Sequence, residues 1–322
     1  MDIIWLASIL DYLIGDPSTW IHPVQVMGWI IQRYHDFVID RISSKLGRKI
    51  AGIILSLALI IGSGGITWLL IDLVSRFNYY GGVILQVVLL ASCFAGRSLR
   101  HAAEDVLLYL QQDDLSQARY RLSFYVGRDT DNLSKEDILR AILETVAENT
   151  VDGVTAPLFY SLMGVFFPVI GCVPFAIAYK ASSTLDSMIG YKKEPYTDIG
   201  WFSAKLEDYL TWLPCRLTVL TLAIISGHPL KYITECREYA TQDPSPNSGW
   251  SEAIYALILK VQLGGENTYK GETKFKPLLG KPEQKIDENS IEQALSLTRK
   301  CFLLWLFTLT LLKQVLFGLT TL

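Results

Sequence analysis

Long uncharged runs divide this chain. Ile50 to Ile71 (IAGIILSLALIIGSGGITWLLI) carries no charged side chain, and neither do residues 78–96 or 153–179. Crossing a hydrocarbon core of about 30 Å takes roughly 20 helical residues, so each run is long enough to span a bilayer. Backbone amides in lipid must be satisfied within their own segment, which makes such runs helices rather than open strands. Buried helices of large soluble domains are shorter and amphipathic. Two further spans are expected at 209–227, interrupted by Arg216, and at 301–319, with Lys313 near its end. A long basic side chain there can snorkel to the interface or face protein. The expected fold class is therefore all-α: a polytopic integral membrane helical protein, one domain over 1–322, with polar helical loops at the membrane surface.

Polar positions order the rest. The stretch IIWLASIL is short, lacks a basic flank and meets Asp11 early. It reads as a retained helix rather than a signal peptide. Gly15, Pro17 and Pro23 punctuate a turn, GDPSTWIHP, before an amphipathic helix over 24–45 at the interface. Arg33, Arg41, Lys45, Arg48 and Lys49 crowd before the first long run, which puts that side in the cytoplasm by the positive-inside rule. Segments 97–152 and 231–300, the second holding ten Lys and Arg, are expected on the same side. Ser134 can cap a helix that has Asp137 at its third position and Ile138, Ile142 and Val146 at helical spacing. Run 153–179 either crosses once, leaving 180–208 outside, or breaks at Pro168 and Pro174 into two legs that dip in and return.

Composition narrows the chemistry mainly by exclusion. A net charge of −3 gives no general attraction to nucleic acid. The five cysteines are scattered without C-x-x-C spacing and read as small buried hydrophobes. No Walker loop, G-x-S-x-G elbow or H-E-x-x-H occurs, and four histidines make a histidine-based metal site a poor fit. GSGG at 62–65 lies inside a span, where small residues serve helix packing.

The densest polar cluster is GRDTDNLSKEDILRAILETVAENTVDG, residues 127–153. At helical spacing Glu144, Glu148 and Asp152 share one face. Like charges four apart destabilise a helix by about 0.2–0.5 kcal/mol per pair, so a cation should offset them: Mg²⁺, a substrate amine or a basic side chain. A solvated face relieved by Arg140 is the plain alternative, but this face runs directly into an apolar run, where carboxylates are costly and functional. A second cluster, YKASSTLDSMIGYKKEPY, brings Lys180, Thr184 and Asp186 after an apolar run; interfacial anchoring explains its Tyr and Lys but not Asp186. A third sets Lys205 and Asp208 three apart on one face with Arg216 beyond, a spacing that also suits a plain ion pair. In the fourth, QDPSPNSGW, backbone amides around Ser245, Asn247 and Ser248 could bind phosphate at the start of a helix leading to Glu252. Locally, ordinary turn formers with Ser248 as N-cap account for it better.

Taken in order, several stretches resemble the CbiB/CobD family of cobalamin biosynthesis proteins, the adenosylcobinamide-phosphate synthases. They are LDYLIGDPSTWIHPVQVMG, VGRDT, ETVAENTVDGVTAPLFY, TLDSMIGYK, DIGWFSAKLEDYLTWLPCRLT, DPSPNSGWSEA and LGGENTY, distributed from residue 10 to about 270. ENTVDG-x-x-APL and PSPNSGW are not patterns that apolar composition produces by chance. One departure is Ser183, where the family has Asn before Thr-Leu-Asp. The resemblance implies a carbon–nitrogen ligase in a cell membrane. It would join adenosylcobyric acid, a corrinoid, to (R)-1-aminopropan-2-ol phosphate or the free aminoalcohol, at the cost of ATP and with Mg²⁺. Expected partners are those small molecules, the lipid bilayer and other membrane-associated cobalamin-assembly enzymes. Within that reaction Glu144, Glu148, Asp152, Asp186 and Lys205 are the candidate catalytic groups. Arg128, Asp129, Asn149, Lys180, Thr184, Asp208, Arg216, Ser245, Asn247 and Ser248 are candidates for binding substrate or phosphate, and Glu148 and Asp152 for Mg²⁺.

Three other classes were weighed. A secondary transporter tends to show internal repeats and mid-span ionisable residues, and this chain puts its charges at span ends and in loops. A non-enzymatic scaffold for corrinoid-modifying enzymes would not need several carboxylate and basic clusters. A membrane alcohol phosphotransferase would carry a D-x-x-D-G cluster, which the sequence lacks.

Overall fold

Long apolar helices need no tertiary help to satisfy their backbone, and they dominate the computed structural model, which describes residues 1–15 and 22–318. In chain order the elements are α1 (Asp2–Leu13), α2 (Pro23–Arg41), α3 (Lys45–Phe77), α4 (Tyr79–Ala91), α5 (Gly96–Gln111), α6 (Leu115–Leu122), α7 (Lys135–Asn149), a π-helical segment (Thr150–Thr155), α8 (Ala156–Val165), α9 (Cys172–Ile189), α10 (Tyr196–Ile199), α11 (Trp201–Ile225), α12 (Pro229–Ala240), α13 (Ser248–Leu259), strands β1 (Leu263–Tyr269) and β2 (Glu272–Leu279), and α14 (Glu288–Gly318). Most of the GDPSTWIHP turn and Leu319, the last residue of the final expected run, lie outside the described residues.

Among the described residues, Lys45–Phe77, Trp201–Ile225 and Glu288–Leu311 are long and apolar enough to cross a membrane. Only 22%, 39% and 22% of their most apolar windows are buried within the protein, so most of that surface is left for lipid to cover. On α3 the outward residues include Ile50, Ile54, Leu57, Ile61, Leu69 and Leu73. At 1.5 Å per residue α3 is about 50 Å long, more than a hydrocarbon core requires, and its ends reach beyond it.

Two expected spans come out differently. Run 78–96 forms α4, then a break and a bend of 42° into α5; the pair passes as a fourth, broken span. Run 153–179 is not one helix. It begins in the π segment, continues as α8, turns over residues 166–171 and restarts as α9, with Gly171 at φ +84 before the first residue of α9. This matches the second arrangement the sequence allows, a break at Pro168, which lies in the turn, with Pro174 in the first turn of α9. The expected all-α character has one exception, the antiparallel β1–β2 hairpin within 231–300.

The chain divides into two compact units: Met1–Ala95, Ala156–Thr211 and Leu312–Leu322 form unit 1, and Gly96–Thr155 with Trp212–Leu311 form unit 2. In unit 1, α9 packs on α3 and α8, α2 on α9, and α1 on α4. Gly52 of α3 allows a close approach, since a Cβ there would lie 1.9 Å from the Ile199 carbonyl oxygen. In unit 2, α5, α6 and α7 pack together and α13 packs on α12, α7 and the hairpin.

Candidate active site

The site in unit 2 is built on α7. Ser134 caps that helix, its hydroxyl accepting from the Asp137 amide at 3.1 Å, as the sequence predicts. α7 is buried on opposite sides, with Ile138, Ile142 and Val146 on one and Glu144, 1% exposed, on the other. Three groups meet it there. Arg128 donates from Nη2 to Oε2, the Gly264 amide donates to Oε1 at 2.9 Å, and Arg140 Nη1 lies 3.6 Å from Oε1. The cation that the acidic face calls for is thus supplied, at Glu144, by two guanidinium groups.

The hairpin closes the site from the other side. Arg140 also donates to the Gly264 carbonyl and, at 3.1 Å, to the Glu266 carbonyl. Gly264 sits at a register shift with φ +83, and a Cβ there would lie 2.0 Å from the Pro277 carbonyl oxygen, so only glycine fits. Asp129 clamps the turn: its carboxylate accepts from the Lys270 amide at 2.9 Å and the Gly271 amide at 2.7 Å. Asn267 accepts from Arg128 at 2.7 Å through Oδ1. Gly265 pairs with Lys276 and Asn267 with Lys274, so Asn267 and Lys276 stand on one face of the hairpin, two positions apart. Lys276 donates to Glu252 of α13 at 2.9 Å, and Glu252 has no accessible surface.

Three carboxylates therefore crowd three cations. Burial pushes the Glu252 carboxyl up to about 8; Lys276 opposes this and Glu148 and Glu144 add to it. Burial works against the Lys276 ammonium, but Glu252, Glu148 and Glu144 outweigh it and hold its pKa above the usual lysine value. Glu148 keeps accessible surface, yet desolvation by the protein around it raises its pKa; Lys276 lowers it and Glu144 and Asp243 add to the rise.

Asp152 lies beyond the end of the α-helix at Asn149, in a π-helical turn over Thr150–Thr155, so regular α-helical spacing links Glu144 to Glu148 but does not continue to it. Thr150 fixes that turn, its hydroxyl lying 3.1 Å from the Tyr255 hydroxyl and 2.8 Å from that of Thr298. Asn149 is exposed and donates to the Thr145 carbonyl at 2.9 Å.

The turn before α13 also lies in unit 2. The helix starts at Ser248, one residue before a Ser248 N-cap would start it, and the Ser248 amide donates to the Ser245 hydroxyl at 3.1 Å, as does that of Asn247 at 3.3 Å. Ser245, not Ser248, fills the capping role, and amides considered for phosphate already have protein acceptors. Arg216 stacks on Trp212 and Trp250, with its guanidinium carbon 5.3 Å and 4.3 Å from the ring centroids, and donates to the Pro246 carbonyl at 2.8 Å.

Lys180, Thr184 and Asp186 on α9 and Lys205 and Asp208 on α11 belong to unit 1. Thr184 is buried and donates to the Lys180 carbonyl at 2.7 Å, while Lys205 is exposed. Tyr179 and Thr211 hydroxyls meet at 2.9 Å, and Thr211 donates to the buried Glu207.

Sequence reasoning missed Glu252, Asn267, Lys276 and Glu207. Glu252, Asn267 and Glu207 lie inside DPSPNSGWSEA, LGGENTY and DIGWFSAKLEDYLTWLPCRLT, stretches noted for their resemblance, so that signal was at hand; Lys276 had no local signal. Among the described residues no group of three or more His, Cys, Asp or Glu is arranged to hold a metal ion. Magnesium arriving with nucleotide phosphates needs only one or two protein carboxylates, which Glu148 and Asp152 can offer.

Comparison with known proteins agrees with the motifs. Residues 4–298 match the family described as CobD/Cbib protein. The cobalamin biosynthesis protein CobD of Synechocystis sp. is 53% identical over 314 residues, covering 98% of this chain and 89% of that protein. CobD of Halalkalibacterium halodurans is 39% identical over 98% of this chain and 97% of its own length. The cobalamin biosynthesis protein CbiB of Salmonella typhimurium is 39% identical over 91% of each. No solved structure gives a significant match. On the match over residues 4–298 and on these identities, the chain belongs to the CobD/CbiB family of cobalamin biosynthesis proteins.

Proposed function

We propose that this protein is a membrane ligase that joins adenosylcobyric acid to (R)-1-aminopropan-2-ol phosphate with consumption of ATP, giving adenosylcobinamide phosphate, or to the free aminoalcohol, giving adenosylcobinamide. The observation that carries the reading is the cluster of buried Glu144 and Glu252 and accessible Glu148 with Arg128, Arg140 and Lys276. A carboxylate cannot acylate an amine unaided, because its oxygen is a poor leaving group. Transfer of the γ-phosphoryl group of ATP to the corrinoid carboxylate makes an acyl phosphate and releases ADP. Attack by the amine nitrogen then forms the C–N bond and expels inorganic phosphate. In this reading Lys276 and Arg128 would offset phosphate charge. Glu148, accessible and with a raised pKa, suits acceptance of the proton that the ammonium must lose before it attacks. Magnesium held by Asp152 would neutralise nucleotide phosphates, leaving Glu148 as the base. Segments 97–152 and 231–300, which carry the cluster, face the cytoplasm of a multi-pass cell-membrane protein in this reading, where ATP is found.

The test is a turnover assay with the full chain in membranes, supplied with adenosylcobyric acid, Mg-ATP and aminopropanol phosphate. Cobinamide phosphate should form only when all three are present. Inserted, folded protein that forms none under any of these conditions sinks the proposal, and substrate flux across sealed vesicles would then favour a transporter.

A further inference from the structure

Helix α2, in unit 1, has an exposed face as well as a buried one. Its inner residues Met27, Ile31, His35 and Val38 are buried, and the helix packs on α9 and α3. Two contacts fix its direction. A Cβ on Gly28 would lie 3.3 Å from Met188 Sδ of α9, and the Tyr34 hydroxyl donates to the Ala51 carbonyl of α3 at 3.3 Å. α3 and α9 run side by side in opposite senses, with Gly64 against Pro174 and Gly52 against Ile199, beyond the end of α9. Met188 and Ala51 are almost equally far from the Gly64–Pro174 contact along their helices, so they stand at one level. The step from Gly28 to Tyr34 covers about 9 Å. That is the usual separation of two packed helix axes, roughly 8–10 Å. α2 therefore crosses from α9 to α3 instead of running along either. It crosses beside Ile50, where the uncharged run of α3 begins and the chain enters the hydrocarbon layer. A helix that crosses two others at that level lies in the plane of the membrane surface.

The exposed face is itself divided. Successive side chains step round a helix by about 100°. Val26, Ile30 and Phe37 then form one exposed edge and Gln25, Gln32 and Asp36 the other, with Trp29, Arg33 and Asp40 where the two meet. An apolar edge, a polar edge and an indole between them suit a helix half sunk in a bilayer surface. α3, which α2 crosses, turns Leu46, Ile50 and Ile54 outward at the same end, so the apolar edge continues a surface that lipid already covers.

Charge decides which lipid. Arg33 lies over the Trp29 ring at 5.9 Å and Arg41 over the Phe37 ring at 4.9 Å, and among the described residues neither guanidinium meets a carboxylate. Asp36 is held instead by Gln32 at 2.7 Å and His35 at 3.1 Å. α3 then opens with Lys45, Arg48 and Lys49 at the positive end of its dipole and with no acidic residue in its first turn, an arrangement that anions outside the chain relieve. We propose that α2 is an in-plane helix whose Arg33 and Arg41, each backed by an aromatic ring, hold the phosphates of acidic phospholipids. A guanidinium can grip a phosphate with two parallel bonds, and the ring beneath leaves its edge free to do so. This lipid site does not depend on ligase activity.

Two measurements on the full chain in mixed phosphatidylcholine and phosphatidylglycerol bilayers test it. Nitroxide labels on Val26→Cys and Ile30→Cys should be relaxed by oxygen, which partitions into lipid. Labels on Gln25→Cys and Gln32→Cys should be relaxed by a water-soluble nickel chelate, with the signal of the unaltered chain subtracted throughout. All four positions are exposed, so the buried face of α2 is left intact. Native mass spectrometry then counts the lipid that the protein retains. Arg33→Gln and Arg41→Gln should each lower the ratio of bound phosphatidylglycerol to phosphatidylcholine about fivefold. Arg33→Lys, which keeps the charge, should preserve most of that ratio. Val26 and Ile30 labels that favour the nickel chelate overturn the in-plane seat. Gln25 and Gln32 labels that favour oxygen overturn it in favour of a spanning helix. Val26 and Ile30 labels shielded from both reagents overturn it in favour of a protein partner. A lipid ratio unchanged in both glutamine variants overturns the phosphate contacts. Displacement of bound phosphatidylglycerol by inorganic phosphate alone overturns them as well, in favour of a soluble anion.

Discussion

Breaking the Arg128–Glu144 pair should reveal how the hairpin is held to α7. The two side chains are 8% and 2% exposed, so neither can turn to water when its partner is lost. Removing one member of a buried pair costs about 3–5 kcal/mol, mostly for the charge left behind. Glu144 would keep the Gly264 amide at 2.9 Å and Arg140 at 3.6 Å, which puts Arg128→Met near the lower end, about 3 kcal/mol. Glu144→Leu should cost a similar amount, about 3 kcal/mol, because Arg128 retains only Asn267 while the Gly264 amide loses its acceptor. In the double variant both charges are gone and the unmet Gly264 amide remains, at about 1–3 kcal/mol. The two changes should therefore be strongly non-additive, with a coupling of at least about 2 kcal/mol. Amide hydrogen exchange on the full chain in nanodiscs measures this locally through the opening free energy of the Gly264 amide and its β1 neighbours. Single variants that each cost under about 1 kcal/mol, or that simply add, would show that the pair behaves like a solvated surface contact and refute the reasoning.

Four further outcomes follow from the same geometry. Asp129→Ala removes both acceptors of the hairpin turn and should speed proteolysis and exchange at 268–273, a loss of about 1–2 kcal/mol that leaves α7 protected. Gly52→Val should cost about 1–3 kcal/mol or prevent folding of unit 1, read as accumulation and thermal midpoint in membranes, because α3 can no longer approach Ile199. A carboxyl raised from 4.5 to about 8 contributes stability that is complete below the lower value and lost as pH rises through the upper one. Hairpin protection should therefore fall between those two values and flatten in Glu252→Gln; Lys276 stays protonated throughout and cannot produce that trend. Finally, cysteines placed at the exposed Asn132 and Lys274 should resist an impermeant thiol reagent in intact cells and react in inverted vesicles; labelling in intact cells would overturn the cytoplasmic assignment.

Membrane helices were legible because lipid imposes a rule that acts on consecutive residues. The run 50–71 falls inside α3, and absence of charge was sufficient to place it. Absence of charge alone would carry 153–179 across as one span, because Phe166, Phe167, Val169 and Ile170 of the turn are apolar; Pro168, which lies in it, is the residue that allowed the break. The hairpin was missed for the opposite reason. Its central Lys270–Gly271, at φ 53 and φ 81, is a left-handed pair that suits a two-residue turn, and Thr, Tyr and Phe flank it. Yet the exposed strand residues between 272 and 275 lack the alternation that marks a half-buried strand.

The site was half legible, and the division follows sequence separation. Glu144 and Glu148 could be paired from helical spacing alone, and Arg140 could be offered as relief because it stands one turn away. Arg128 with Asn267, and Lys276 with Glu252, meet across 139 and 24 residues, which no local rule encodes. Even so, the idiosyncratic strings were informative in a different way. VGRDT contributes the partner of Glu144 and the clamp on the hairpin turn; ENTVDG is where the helix widens into a π turn; PSPNSGW holds its own loop amides and seats Arg216; LGGENTY places the glycine bulge and Asn267. Apolar periodicity explains none of these, because each departs from regular backbone or buries a charge. Such departures persist only where neighbouring groups over-determine them, and here the neighbours are one another. A string that looks arbitrary along the chain is, in unit 2, a place where loop amides, a widened turn or a buried charge find partners far away in sequence.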